Sequence, residues 1–542
     1  MAESGNAGEL MALALKAAGV THLFVLNGAH IWPVIVGAHQ HGIRVVDFRH
    51  EQTCAFAAEA WSKLTRTCGV AAATAGPGVT NAISGLSAAR GNDSPMVLIG
   101  GRAPAARWGM GSLQEMDHLV VVRSLVKRAV TLESADAAYA TTSDLIGLAL
   151  SARTGPVFVD VPLDVFFSAA DLPEDQPRPR VDPGAAPDPE IVARVIELLR
   201  AAERPAIVAG GGVWWARAEE ALVGFAEAAD LPVYLNGLAR GILPPSHRLY
   251  RSRSRKTGLG EADLVIVAGA PLDFRLNFGQ PPVFSEEAKL VYVDADEFRK
   301  HRPGAAALYG DIALALSELA ERAGDLPRRV EWLERLAGEE AAARQRDRPL
   351  SESNSVPVHP ARLVAEVERF LDHDAVIVGD GGDFVSFAGR LIERVRPGLW
   401  LDAGPFGCLG AGPGAAAAAK LIHPDRQVLL LQGDGAFGFS GMEYEALVRQ
   451  RIPIVTVIGN NGIWALEKHP MRTVYDELVA TDLTPGARYD TVVEALGGHG
   501  ECVDRPEQIR PALERAFKSG LPACVNVLCD PEAEYPRSSV LI

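Results

Sequence analysis

Three doubly wound α/β domains, each built on a parallel sheet, are what this sequence predicts. At 542 residues the chain is too long for one core, and about one domain per 100–200 residues suggests three. Short uninterrupted apolar runs alternate with helix-length segments throughout, the pattern of parallel strands covered on both faces. Two polar, Pro-rich stretches, AADLPEDQPRPRVDPGAAPDPE (169–190) and RQRDRPLSESNSVPVHP (344–360), interrupt that pattern. They divide the chain into blocks at 1–170, 190–340 and 358–542.

The first block opens on MAESGNAGELMALALKAAGV, whose apolar residues recur at helical spacing up to Gly19 and predict an amphipathic helix. The runs THLFVL, RVVDF, GVAAAT and PMVLIGG follow as strands. PAIVAGGG, DLVIVAGA and LVYVDAD supply strands of the second block, and AVIVGD, QVLLLQGD and PIVTVIGNN those of the third. In such sheets ligands sit beyond the carboxyl ends of the strands, so the loops ending GGG, GA, GD and GNN are where chemistry is expected.

Composition narrows the function classes. Apolar residues at 48% and charged residues at 22% describe an ordinary globular protein. A formal charge of −15 argues against a nucleic-acid or anionic-membrane surface. Six cysteines with no C-x-x-C pair suggest neither a disulfide framework nor a zinc site. The first residues carry no basic n-region, and no stretch approaches 18 apolar residues, so a cytoplasmic address is expected.

The most informative stretch is QVLLLQGDGAFGFSGMEYEALVRQRIPIVTVIGNNGIW. One buried strand ends in Gly433-Asp434-Gly435 and the next in Asn460-Asn461. A diphosphate-bound Mg²⁺ wants six oxygen ligands, and the Asp434 carboxylate and Asn461 amide arrive at neighbouring strand ends with that chemistry. Glycines 433 and 435 let the N–H groups of Gly435, Ala436 and Phe437 approach phosphate oxygens at a helix start.

Asp434 and Asn461 stand 27 positions apart, and this strand–helix–strand spacing resembles the GDG-to-NN signature of thiamine-diphosphate enzymes. The resemblance implies a third metal ligand, the carbonyl of Ile463. It also implies a carboxylate that protonates the cofactor's aminopyrimidine ring, and Glu51 in VVDFRHEQTCAFAAEAW fills that role. Gly76 and Asn81, in TAGPGVTNAISGL, resemble the cofactor loop of the family's first domain. LDAGPFGCLGAGPGAAAAA (401–419) resembles the loop under the cofactor, with Leu409 as the wedge that bends it and the Gly407 carbonyl as acceptor for its amino group. Gly382, Asp383 and Phe384 add backbone contacts to the diphosphate. The resemblance spans the whole chain as pyrimidine-binding, central and diphosphate-binding domains, with the cofactor between subunits of a dimer or tetramer.

Within that family AGPFGCLGAGPG and GDGAFGFSGMEYEAL look most like 2-hydroxyacyl-CoA lyases and oxalyl-CoA decarboxylases. GSLQEMDH (111–118) carries Leu113-Gln114 where the decarboxylases generally have Tyr-Glu, which favours the lyase. The implied reaction cleaves a 2-hydroxyacyl-CoA, such as 2-hydroxyisobutyryl-CoA, reversibly to formyl-CoA and an aldehyde or ketone. An acetolactate-synthase-like enzyme, or a decarboxylase of 2-keto acids or oxalyl-CoA, is the alternative. Ile463, Trp464 and Leu113 are expected at the substrate. Glu467, six residues after Asn461, matches the offset of a catalytic glutamate in pyruvate decarboxylases; Gln114 and His30 are further polar candidates. An acyl-CoA needs cations for its phosphates, and RSRSRKTG (251–258), Arg275 and Arg537 offer them. Some relatives use the same central region for FAD or ADP, so ADP or another nucleotide is a further expectation there.

Overall fold

The computed structural model describes residues 4–298, 300–475 and 477–535. Strands β2 (His22–Val25), β3 (Arg44–Asp47), β4 (Gly69–Ala73), β5 (Met96–Arg102), β6 (Ala129–Thr131) and β7 (Val157–Pro162) form a sheet of order β3-β2-β4-β5-β7-β6. All its pairings are parallel. β4 is buried at every position and β5 at all but Arg102, which is why both read as continuous apolar runs. Ahead of this sheet, β1 (Ser4–Asn6) pairs antiparallel with β8 (Ala169–Asp171).

The opening segment is therefore strand first and helix second. Asn6 caps the helix Ala7–Ala17, its Oδ1 accepting the N–H of Glu9 at 3.0 Å. Leu10, Met11, Leu13 and Leu15 of that helix pack into the core with Leu23, Val25 and Val97.

Strands β9 (Pro205–Ala209), β10 (Val233–Leu235), β11 (Tyr250–Arg251), β12 (Leu264–Ala268), β13 (Lys289–Asp294) and β14 (Ala306–Tyr309) make a second parallel sheet, ordered β11-β10-β9-β12-β13-β14. Its two faces bury separate cores, one around Ile207, Ile266 and Val293, the other around Val208, Val265 and Tyr292. The polar stretch beginning at 344 is not wholly linker, because the helix Val330–Ser351 runs into it. Its acidic side chains hold it: Glu340 accepts the N–H groups of Ser252, Arg253 and Ser254 at 2.7, 2.7 and 2.8 Å, and Asp347 pairs with Arg253 and Arg390.

The third sheet contains β15 (Val376–Asp380), β16 (Trp400–Asp402), β17 (Val428–Gly433), β18 (Val455–Asn460), β19 (His499–Val503) and β20 (Ala523–Leu528), ordered β16-β15-β17-β18-β20-β19. The strand order reverses between β15 and β17, and such a switch point opens a crevice at the strand ends. Asp380-Gly381-Gly382 and Gly433-Asp434-Gly435 leave the sheet there, side by side.

Close contacts divide the chain into two compact units, one of residues 1–182, 376–385 and 401–531, the other of 183–375, 386–400 and 532–542. The first contains the switch-point crevice and the whole of the first sheet. No described helix is long and apolar enough to cross a membrane.

Candidate active site

Gly381, Gly382, Gly407, Gly433, Gly435 and Gly459 contribute to the walls of a cavity of about 260 Å³ at the switch point. Asp383, Phe384, Leu409, Asp434, Ala436, Asn461, Ile463, Trp464, Leu466 and Glu467 complete most of the lining. A wall so rich in glycine presents backbone N–H groups, as binding of a diphosphate requires. The glycines also admit neighbours: a Cβ on Gly435 would lie 2.4 Å from the Trp464 ring, and one on Gly382 2.3 Å from Leu466.

Asp434 is 4% exposed and opens the helix Asp434–Ser440. Its Oδ2 accepts the N–H of Gly462 at 2.7 Å and its Oδ1 that of Gly435 at 2.9 Å. Burial pushes its carboxyl up to about 6, against the downward pull of those N–H groups. Asn461 Oδ1 accepts the N–H of Ile463 at 3.2 Å. Residues 462–464 are pinned against 481–483 by Trp464 N–H to Thr481 O and Leu483 N–H to Gly462 O, each 2.8 Å. Neither bond uses the Ile463 carbonyl. Among the described residues no cluster of three or more His, Cys, Asp or Glu suits a metal. One carboxylate, one amide and one carbonyl are a donor set that would suit a magnesium ion, with a diphosphate and water to supply the remaining oxygens. Phe437 does not line the cavity; its ring packs on Tyr489, 5.0 Å between centroids, which leaves only its backbone for a ligand.

Leu409 and Gly407 sit on the loop after β16, with Gly407 at φ 70°. Asp380, fully buried at the end of β15, anchors the loop: its carboxylate accepts the N–H of Gly410 at 3.0 Å, of Gly412 at 2.8 Å and Nε2 of Gln432 at 2.9 Å. Burial pushes the Asp380 carboxyl up to about 6 despite those donors. Sequence reading missed Asp380 and Gln432; the GD ending of AVIVGD was a signal of the first.

Glu51 is 6% exposed and opens the helix Glu51–Thr65, capped by His50, whose Nδ1 accepts the N–H of Gln52. Asn81 donates to Glu51 Oε2 at 3.0 Å, so it lies against the glutamate. Glu443, also missed, braces the approach by accepting the N–H of Arg49 at 2.9 Å. The helix of Glu51 packs on the helix Gly412–Ile422, where a Cβ on Gly414 would come within 2.6 Å of the Thr53 carbonyl. Gln52 Nε2 reaches the Leu409 carbonyl at 3.5 Å.

Gly76, at φ 59°, crosses Gln114 so closely that a Cβ would stand 2.9 Å from the Gln114 carbonyl. Thr74 Oγ1 joins Gln114 Oε1 at 3.5 Å and His30 Nδ1 at 3.1 Å, so Gln114 and His30 form one polar cluster. Burial holds the His30 imidazole below its usual range and therefore neutral near pH 7. Leu113 is 77% exposed. Glu467 is exposed and lines the cavity, while Lys468 pairs with Asp482 at 2.5 Å instead of with Glu467.

The cations expected at an acyl-CoA fare differently. Arg275 forks onto Asp273, with Nη2 2.7 Å from Oδ2. Arg251 donates to the carbonyls of Arg248, Tyr250 and Leu333, and Arg253 pairs with Asp347, so this charged run is built into its unit. Arg537 lies outside the described residues.

Comparison with known proteins agrees with this geometry. Residues 5–121 match the N-terminal TPP binding domain of thiamine pyrophosphate enzymes, 192–319 the central domain and 380–527 the C-terminal TPP binding domain. The chain is 51% identical over 546 residues to a Mycobacterium tuberculosis protein described as acetolactate synthase large subunit IlvG, covering 100% of this chain and 98% of that one. It is 34% identical to 2-hydroxyacyl-CoA lyase 2 of Caenorhabditis elegans, covering 96% and 89%, and 33% identical to that of Homo sapiens, covering 96% and 90%. A glycine-lined crevice at the switch point of the third sheet and family matches to all three domains lead to one conclusion: the chain belongs to the thiamine pyrophosphate enzymes and is a thiamine-diphosphate-dependent enzyme.

Proposed function

We propose that this enzyme is a 2-hydroxyacyl-CoA lyase, cleaving the bond between the thioester carbonyl and the hydroxyl-bearing carbon to give formyl-CoA and an aldehyde or ketone. The observation that carries this reading is the charge of the cavity wall. Its ionisable residues are Asp383, Asp434 and Glu467, and no Arg or Lys stands among the described residues lining it. A free 2-keto acid brings a carboxylate beside the reacting carbon and calls for a cation there; a thioester is neutral at that place. Ile463, Trp464 and Leu466 offer the apolar surface such an acyl group needs.

Thiamine diphosphate, when bound, supplies the electron sink that the protein's side chains lack. Asp434, Asn461 and the Ile463 carbonyl would hold its magnesium ion, and the N–H groups of Gly435, Ala436 and Phe437 its phosphates. Gly382, Asp383 and Phe384 would border the diphosphate, with Leu409 and the Gly407 carbonyl under its rings. Glu51, oriented by Asn81, would hold and move a proton at its carboxylate toward the pyrimidine ring. Glu467 takes the proton of the substrate hydroxyl as the carbon–carbon bond breaks, and returns a proton in the reverse direction. Gln114 and neutral His30 hydrogen-bond the substrate oxygens.

The second reading is acetolactate synthesis from pyruvate, favoured by the full-length 51% identity to a protein so described. The holoenzyme should be incubated separately with 2-hydroxyisobutyryl-CoA, lactyl-CoA, oxalyl-CoA and pyruvate, and the products identified. Formyl-CoA from a hydroxyacyl ester is expected. Acetolactate from pyruvate with every CoA ester untouched would overturn the lyase in favour of the synthase.

A further inference from the structure

The loop that presents Leu113 and Gln114 runs from Ala103 to Asp117, between the end of β5 and the helix His118–Val122. One carboxylate grips both of its ends. Asp160, on β7, is 0% exposed, and its Oδ2 accepts from Arg102 Nη1 at 2.9 Å and from His118 Nδ1 at 3.2 Å. From the first end, the Arg102 guanidinium lies 3.8 Å over the Trp108 ring and donates to Thr131 Oγ1.

From the second end, His118 Nε2 accepts the N–H of Gly76 at 2.9 Å. A backbone N–H only donates, so Nε2 carries the lone pair and the ring proton sits on Nδ1, toward Asp160. Gly76 in turn is the residue on which Gln114, at φ 60°, is packed. Between its ends the loop is stapled by Glu115, which accepts the N–H groups of Gly109 and Ser112 at 3.1 and 3.3 Å. Asp160 Oδ1 has no partner among the described residues. Both donors converge on Oδ2, so the two ends of the loop are fixed relative to one atom.

We propose that Asp160 is a positioning residue: through His118 and Gly76, and through Arg102 and Trp108, it sets where the Gln114 side chain meets the substrate. This rests on the reading of Gln114 as a substrate-binding group. An error of about 1 Å in such a group can cost up to about a hundredfold in rate. The gripped loop itself carries none of the diphosphate or metal ligands, but Gly76 belongs to the stretch that resembles the cofactor loop, so the effect on substrate is read with the cofactor saturating.

The test compares Asp160→Asn, His118→Gln and Gln114→Ala, and each of the first two combined with Gln114→Ala, in the holoenzyme with the substrate it turns over. Asp160→Asn and His118→Gln should each raise KM for the substrate about tenfold at saturating thiamine diphosphate. In the Gln114→Ala background neither should change KM by more than about twofold, since the group they position is gone. If Gln114→Ala changes KM but Asp160→Asn and His118→Gln do not, or if they multiply through undiminished in that background while lowering Tm, Asp160 serves stability alone and the proposal is overturned. If Gln114→Ala is itself without effect, the reading of Gln114 falls and the proposal with it. Should Asp160→Asn fail to fold, His118→Gln alone decides by the same comparison.

Discussion

At the scale of residues, the buried carboxylates set the sharpest expectations. Glu51→Gln keeps the size and the contact to Asn81 but cannot exchange a proton, so kcat should fall by about 10²–10⁴-fold with thiamine diphosphate still bound. Steady-state turnover beside cofactor titration checks this, and retention of full turnover would remove Glu51 from the mechanism. Asp434, pushed up to about 6 in the metal-free protein, must lose its proton before it can ligate. Magnesium affinity should therefore be level above about pH 6 and fall with each unit below it, as calorimetric titration between pH 5 and 8 would register. Gly435→Ala places a methyl 2.4 Å from the Trp464 ring, and the overlap should cost about 1–3 kcal/mol of stability, read as a lower Tm.

At the scale of elements, the loop from Gly407 to Gly412 depends on a residue of another strand. Asp380 sits at the end of β15 and takes the N–H groups of Gly410 and Gly412, fixing the place of Leu409. Asp380→Ala should free that loop and weaken thiamine diphosphate binding by more than Leu409→Ala does, a ranking that cofactor titration can reverse. The pH dependence has a definite sign. The folded-state carboxyl titrates at about 6, above its ordinary 3.8, so the folded protein holds more protons between those values. Its contribution favours folding most at low pH and declines as pH rises through that window; Asp380→Asn should remove this slope from a plot of Tm against pH.

At the scale of the whole molecule, apolar side chains stand in water. Met110, Leu113, Phe439 and Met442 are exposed by 76%, 77%, 60% and 59%. Such surface fits burial in a subunit interface, and a homodimer or tetramer is the expected state, whereas a fully active monomer in sedimentation would contradict it.

Much of the site was legible because it follows local rules. Strand-end glycines and the Asp434-to-Asn461 spacing each lie within one short stretch, so the order of residues announces them. Asn81 was legible as a member of its motif, but its contact with Glu51 comes from another helix. Asp380, Glu443, His118 and Asp160 were not read, since a buried acid or histidine gains meaning only from donors far along the chain. Asp380 meets its partners 30 or more positions away, and Asp160 meets His118 at 42. The surroundings of the arginines at 251–255 were unread for the same reason: Arg253 pairs with Asp347 and Arg251 donates to the Leu333 carbonyl, both on a helix some eighty to ninety residues further on.

The sequence by itself determined the three parallel sheets, the glycine-rich strand ends and, through the resemblance they carry, the thiamine-diphosphate family. Periodicity and turn chemistry act over a few residues and survive in linear order. Only the tertiary structure decided which carboxylates are stripped of water, how the loop of Gln114 is gripped, and that no Arg or Lys stands among the described residues lining the cavity. Desolvation and charge pairing are set by distance in space, and folding fixes that distance.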